Sequence, residues 1–415
     1  MSVSKPFDIV LWGATGYTGQ LVAEYLARHA GPGVRWAIGG RNQDKLEGLR
    51  RSLAAVNPAA GDLPILTGDS YDAASLQAIV AQARVVCTTV GPYAKYGTPL
   101  VAACVAQGVD YCDITGETAW VRANIDAFHG QAEQTGARIV HFCGIDSIPS
   151  DLGTLMVQEY ALAAYGHFCQ RVKHYILGFK GGFSGGTVAT MMYNIDQAKA
   201  GKKMRRVLAD PYSLAPGYDH DWSEKDQRGP RYDPDIGRWT APFAMAFINS
   251  RVVRRSHALQ GFRYGPDFRF SETLRLPGGW RGRLGATGAT LSLALFAGLV
   301  AFSPTRRLLQ ATVLPAPGEG PAAEARESGY FRTLLLGKIP AGDGGSEMWV
   351  KGIVAGNSAP GYGETAKMLG ESALCLALDD LPRRGGILTP AVAMGMRLVE
   401  RLRAASMTFS AEPWT

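Results

Sequence analysis

The chain has 415 residues, 46% hydrophobic and 19% charged, an ordinary globular composition that excludes disorder, a collagen-like repeat and a single small binding module. Its 43 Lys and Arg outnumber 36 Asp and Glu for a net charge of +7, so nucleic acid or an anionic membrane must be weighed by where the charge sits. The length predicts two to three domains.

Phe7 to Trp12 is a short apolar run ending at Gly13, and Thr18 to Ala30 then places Leu21, Val22, Tyr25 and Leu26 on one helical face. Strand-like runs follow at 34–40, 63–68, 84–91, 109–114 and 137–145, with helical segments between them. Unbroken apolar strands alternating with helices imply right-handed βαβ units, so about six parallel strands fit residues 1–150. The texture changes near residue 170. A strand at 171–180, a glycine-rich turn, a helix to Lys199 and a polar stretch at 201–240 precede strand-like runs at 241–255, 262–276 and 347–356. That spacing predicts a second, α+β domain on a mostly antiparallel sheet, inserted over 151–356. Residues 357–415 are expected to be helical from Thr365 to Leu402 and to pack back on the first domain. The N-terminus begins as a strand and lacks the pattern of a signal peptide. Cys87, Cys104, Cys112, Cys143, Cys169 and Cys375 form no CxxC and sit in apolar runs, as buried thiols of a reducing cytoplasm do.

The segment from Gly13 to Gly19 (GATGYTG) ends a strand and opens a helix, the context a dinucleotide fingerprint requires. Gly13, Gly16 and Gly19 allow a tight turn and close backbone approach, and with Thr15, Tyr17 and Thr18 they place a pyrophosphate on the helix N-terminus. Strand two ends at Gly39-Gly40-Arg41, where an NAD site offers Asp or Glu to the ribose. The guanidinium of Arg41, assisted by Asn42 and Lys45, suits a 2'-phosphate instead, so NADP is favoured over NAD. Asp69, ending strand three, either approaches the adenine or caps a helix, and Gly91-Pro92 ends strand four toward the nicotinamide.

GATGYTG (13–19), GGR (39–41), VGPYAKYG (90–97), DYCDITGE (110–117), CGIDSIPSDLG (143–153), SGGT (184–187), GYGETAKML (361–369) and GGILTPAVAMG (385–395) together resemble the saccharopine dehydrogenase-like oxidoreductases, most closely their trans-acting enoyl reductase subfamily. The resemblance spans residues 7 to about 410. It implies a Rossmann domain, an inserted α+β domain with part of the substrate site and the contacts of a homodimer, and a C-terminal return. It also implies NADPH-dependent reduction of an enoyl group on a lipid or polyketide-type acyl thioester, carrier-bound or membrane-derived. The family name equally suggests an amino-acid dehydrogenase acting on a C–N bond, for which Arg251, Arg254 and Arg255 are the candidate carboxylate ligands, although strand alternation would point them to different faces. A non-catalytic, membrane-associated nucleotide-fold protein is the third reading.

Enoyl reduction needs a proton donor beside the hydride acceptor. Tyr93 and Tyr96 follow strand four, with Lys95 placed to lower a phenol's pKa, and Asp146 follows strand six; these are the candidate catalytic residues. Packing of the cofactor explains the tyrosines equally well. Asp113 and Glu117 line the same carboxyl edge, where Asp113 also suits buried amides, and Ser147 and Ser150 also read as helix caps. Ser184 to Thr187 offers amides before a helix, for an anion or simply as its cap. No metal site is expected: the His residues form neither HxxxH nor HExxH, and His141 reads as a core residue.

Residues 284–305 carry no charge, about 33 Å as a helix against roughly 30 Å of bilayer hydrocarbon. Gly and Ser/Thr dilute the run, and Arg281, Arg283, Arg306 and Arg307 flank it. A core or subunit-interface helix, a membrane-surface element and a span all fit. Residues 199–283 hold 17 Lys and Arg against 9 Asp and Glu, a balance of +8 that leaves the rest at −1. The excess beside the apolar run favours an anionic membrane surface or acidic carrier over nucleic acid, placing the protein in the cytoplasm, peripheral to the inner face of the membrane.

Overall fold

The computed structural model describes residues 5–181, 185–217, 225–312, 328–341 and 346–414. Strands β1 (Phe7–Trp12), β2 (Trp36–Gly40), β3 (Ile65–Thr67), β4 (Ala83–Thr88), β5 (Asp110–Asp113) and β6 (Arg138–Val140) alternate with helices α1 (Tyr17–His29), α2 (Gln43–Val56), α3 (Ala73–Val80), α4 (Tyr93–Gln107) and α5 (Thr118–Thr135). All pair in parallel, in the order β6-β5-β4-β1-β2-β3. Both faces are covered, since Ile9 and Leu11 join one apolar cluster and Val10 and Trp12 another. The Rossmann-type expectation is met.

Helix α6 (Ile148–Tyr165) leads to the second sheet. It comprises β7 (Arg171–Lys180), β8 (Arg231–Asp233), β9 (Arg238–Pro242), β10 (Arg269–Arg275), β11 (Tyr330–Ile339), β12 (Met348–Gly356) and β14 (Thr408–Pro413), in the order β14-β12-β11-β7-β10-β9-β8. Only β7 and β10 are parallel among its pairs. Helices α7 (Gly185–Ala200), α8 (Lys202–Ala209), α9 (Ala246–Leu259), α10 (Gly279–Ala301) and α11 (Ser303–Thr312) interrupt it.

Three expectations are corrected. Residues 241–255 are strand only to Pro242; from Ala246 they form α9, in which every residue from Ile248 to Leu259 is buried, so no 3.6-residue pattern betrays the helix. The run 365–402 is not continuously helical: after α12 (Thr365–Leu378), the strand β13 (Gly386–Leu388) adds a seventh parallel strand beside β6. The segment 284–305 is no core helix, because only 11% of the most apolar window of α10 is buried. Helix α12 does pack on the first sheet's side, where Tyr25 Oη donates to Glu371 at 2.6 Å.

Candidate active site

The glycine turn is built by contacts that admit no side chain. Gly13 has φ +85°, and a Cβ there would lie 2.5 Å from Val90 Cγ2; a Cβ on Gly19 would lie 2.2 Å from the Gly13 carbonyl oxygen. Thr89 Oγ1 donates to that carbonyl at 3.1 Å, so the end of β4 clamps the turn. No side chain caps the first-turn amides of α1 at Gly16, the arrangement that an anion-binding helix N-terminus offers. Thr15 lies beside the end of β2, where a Cβ on Gly40 would be 3.8 Å from Thr15 Oγ1. Arg41, next in sequence, is exposed and forms no ion pair with Asp44. Asn42 is occupied as the N-cap of α2, accepting from the Lys45 amide.

The other expected cofactor contacts divide. Gly91 is exposed, and Pro92, after a cis peptide bond, is the N-cap residue of α4. Asp69 serves a turn, with Oδ1 accepting from the Tyr71 amide at 2.9 Å, while Asp72 caps α3. The described part of 184–187 is the start of α7 at Gly185; Ser184 lies outside the described residues.

The tyrosines separate. Tyr93 is 6% exposed, stacks on Trp120 and donates from its hydroxyl to the Thr88 carbonyl at 3.3 Å. Burial, then Asp113, pushes its phenol far up, so it remains protonated. Tyr96 lies edge-on to Tyr71, 5.3 Å between rings. Hydrogen bonding to Lys95 and then Tyr71 lowers its phenol's pKa, and the charge of Arg41 contributes. Tyr96 thus stands with Tyr71 and Lys95, within electrostatic reach of Arg41.

Asp146 instead meets residues of the second sheet. A cavity of about 620 Å³, its open mouth included, lies between the carboxyl edge of the first sheet and one face of the second. Asp146 and Ser150 reach it from the first side, His174 and Ile176 from β7, and Glu272 from β10, while Phe179, Phe243, Met245 and Phe331 give apolar walls. Gly361 also lines it, and the adjacent Tyr362 packs edge-on against Tyr17 of the glycine turn at 5.1 Å between rings. The cavity therefore adjoins the expected cofactor cradle.

Its polar end is a buried network. Glu272 Oε1 lies 3.0 Å from His174 Nδ1 and accepts from Ser150 Oγ at 3.0 Å and Asn249 Nδ2 at 3.1 Å. Ser147 Oγ donates to Asn249 Oδ1 at 3.1 Å, so although Ser147 sits at the N-cap of α6 its side chain makes no cap bond. Glu272 Oε2 and His174 Nε2 are buried without a hydrogen-bond partner. Burial, with the Glu272 charge adding, pushes the Asp146 carboxyl up to about 7. The site thus offers a carboxylic acid still protonated near neutral pH beside an apolar chamber.

Other expected residues are structural. Glu117 caps α4, accepting from the Tyr93 and Ala94 amides at 2.8 and 2.7 Å. Asp113 binds Tyr111 Oη, the Thr115 amide and His141 Nδ1, the last at 2.7 Å. Arg251 and Arg254 pair with Asp226, and Arg255 donates to the Leu214 and Ile387 carbonyls, so none reaches the cavity. Among the described residues no cluster could hold a metal ion.

The model of the saccharopine dehydrogenase NADP binding domain matches residues 9–140. A Mycobacterium tuberculosis relative in the trans-acting enoyl reductase group is 43% identical over 416 residues, covering 97% of each chain. A trans-acting enoyl reductase of Mycobacterium bovis is 39% identical over 415 residues, again 97% of each, and one of Mycobacterium ulcerans is 37% identical over 426 residues, 99% of each. In fold, the chain is similar to a saccharopine dehydrogenase (L-Glu forming) of Saccharomyces cerevisiae, with TM-score 0.53 and 12% identity over 98% of this chain and 99% of that one.

Proposed function

Because this chain belongs to the saccharopine dehydrogenase-like oxidoreductases, in their trans-acting enoyl reductase group, we propose that it is an NADPH-dependent enoyl reductase acting on a lipid-like or polyketide-type acyl thioester. The supporting observation is the cavity, in which apolar walls meet a protonated Asp146, and whose Gly361 adjoins Tyr362, packed on Tyr17 of the glycine turn. NADPH, when bound, supplies a hydride to the β-carbon of the unsaturated thioester.

The chain's own residues have four tasks. The amides after Gly16 hold the pyrophosphate, and Arg41 holds the 2'-phosphate, with Tyr96 and Tyr71 beside it. Phe179, Phe243, Met245 and Phe331 take the acyl chain and keep water away from the reacting carbons. Asp146 delivers the proton to the α-carbon as the enolate collapses. Burial, helped by the Glu272 carboxylate that His174, Ser150 and Asn249 fix in place, raises the pKa of Asp146 so that its proton is present near neutral pH.

Lipid-like substrates imply delivery on an acidic carrier or from the cytoplasmic face of a membrane, and the subunit contacts expected of the family make a homodimer part of this reading. An amino-acid dehydrogenase is disfavoured because binding two or three carboxylates needs cations in the cavity, and Arg251, Arg254 and Arg255 are committed elsewhere. Incubation of the purified protein with NADPH and a series of 2-enoyl thioesters tests the proposal. It predicts the saturated thioester as product; tight NADPH binding with no product refutes it.

A further inference from the structure

Helix α10 presents an apolar stripe that nothing among the described residues covers. Trp280, Leu284, Leu291 and Leu295 recur at four- and seven-residue spacing, so they share one face, and each is 62–69% exposed. The opposite side packs on the protein: Gly282 and Ala286 are buried near β9, and Val300 joins Met192 of α7. The helix therefore lies along the surface with its long axis held by the body, unlike a helix free to cross a bilayer.

The exposed charge flanking the stripe is mostly cationic, the exception being Asp196 of α7, which pairs with Arg306. Arg281 and Arg283 at one end and Arg307 at the other are exposed, and the sequence has no acidic residue between Glu272 and Glu319. Pairing two copies of α10 antiparallel would bring Arg281 and Arg283 against the exposed Arg307, since Asp196 is already taken up by Arg306 and the segment itself carries no carboxylate. A phosphate-bearing lipid surface complements this pattern, and a tryptophan at the helix end suits the headgroup boundary.

We propose that α10 docks the protein in the plane of an anionic bilayer, its leucines in the acyl region and its arginines at lipid phosphates. The proposal builds on the lipid-like substrate argued above, but vesicle binding is read without turnover, so the two can fail separately. The membrane-facing helix also contacts α7, whose Thr190 side chain borders Gly116 beside Asp146, so docking places the bilayer next to an element that walls the reaction site.

The test is flotation of the full chain with phosphatidylcholine vesicles, with and without phosphatidylglycerol. The expected result is at least tenfold stronger partitioning to the anionic vesicles, lost in the double variant L291E/L295E and reduced to the neutral-vesicle level in R281E/R283E. Unchanged NADPH affinity in both variants shows that they fold. Equal flotation of wild type and L291E/L295E, or none with anionic vesicles, overturns the proposal. So does sedimentation showing a dimer that L291E/L295E dissociates, which would make a second copy the occupant of the stripe.

Discussion

Glu272 and His174 are direct register partners on the parallel strands β10 and β7, and Glu272 Oε1 stands 3.0 Å from His174 Nδ1 with both side chains at most 1% exposed. Two polar residues this deep normally satisfy every donor and acceptor. Here one atom of each remains unpaired at the cavity, next to a carboxyl whose proton is held up to about 7. Such displaced titration beside a chamber marks a reacting centre better than a structural pair does.

Asp146 sets the first prediction. As the proton donor it is competent below about 7 and loses the proton above it, so turnover should fall as pH rises through about 7. Replacing Asp146 with Asn should lower kcat by about 100- to 10,000-fold and flatten that limb, with NADPH affinity intact. A wild-type limb that persists unchanged in the variant would remove Asp146 from the proton path.

Glu272 acts through its charge. Since that charge helps to raise the Asp146 carboxyl, Glu272→Gln should move the falling limb of the kcat–pH profile to lower pH. A merely structural Glu272 would lower Tm and leave the profile's midpoint where it was.

Arg41 separates the two nicotinamide cofactors. A charge-assisted bond to a 2'-phosphate is worth about 1.5–3 kcal/mol, so Arg41→Ala should weaken NADPH by roughly 10- to 150-fold and NADH little. Titration calorimetry with both cofactors measures this, and equal losses would contradict the 2'-phosphate assignment.

Asp151 ties the C-terminal segment to the body, accepting from the Ala391 amide at 2.8 Å and from Ser256 Oγ. Burial lifts its carboxyl to about 7, whereas the unfolded group titrates near the ordinary 3.8 of an aspartate. The folded state thus binds the extra proton, so this contribution to stability is complete below the unfolded value and is lost as pH rises through about 7. Asn mimics the neutral acid, accepting from Ala391 and donating toward Ser256. Thermal unfolding of Asp151→Asn should therefore lose less stability than wild type between about pH 4 and 7.

Much of the first half was legible because its signals are local. The glycine turn follows a strand in sequence, Arg41 ends the next strand, and Asp146 falls at a carboxyl edge that the βαβ rule alone defines. The second half was not. His174 and Glu272 lie in ordinary strand-like runs, and their meeting depends on β7 and β10 pairing across nearly a hundred residues. Helix α9 lost its periodicity to burial on all sides, and its three arginines looked like a carboxylate site when they bind Asp226 and backbone carbonyls. Tyr93 was placed correctly after β4, but rotation of its hydroxyl toward Thr88 leaves no trace in spacing.

The proposed function turns on hydride reaching the β-carbon of an acyl thioester in this cavity. Turnover of a 2-enoyl thioester with NADPH deuterated at its transferable position, followed by mass spectrometry of the product, measures it most directly. The expected product is a saturated thioester carrying one deuterium at the β-carbon and a solvent proton at the α-carbon. Unreduced thioester in the presence of bound NADPH, or deuterium delivered instead to a C–N or carbonyl substrate, would contradict it.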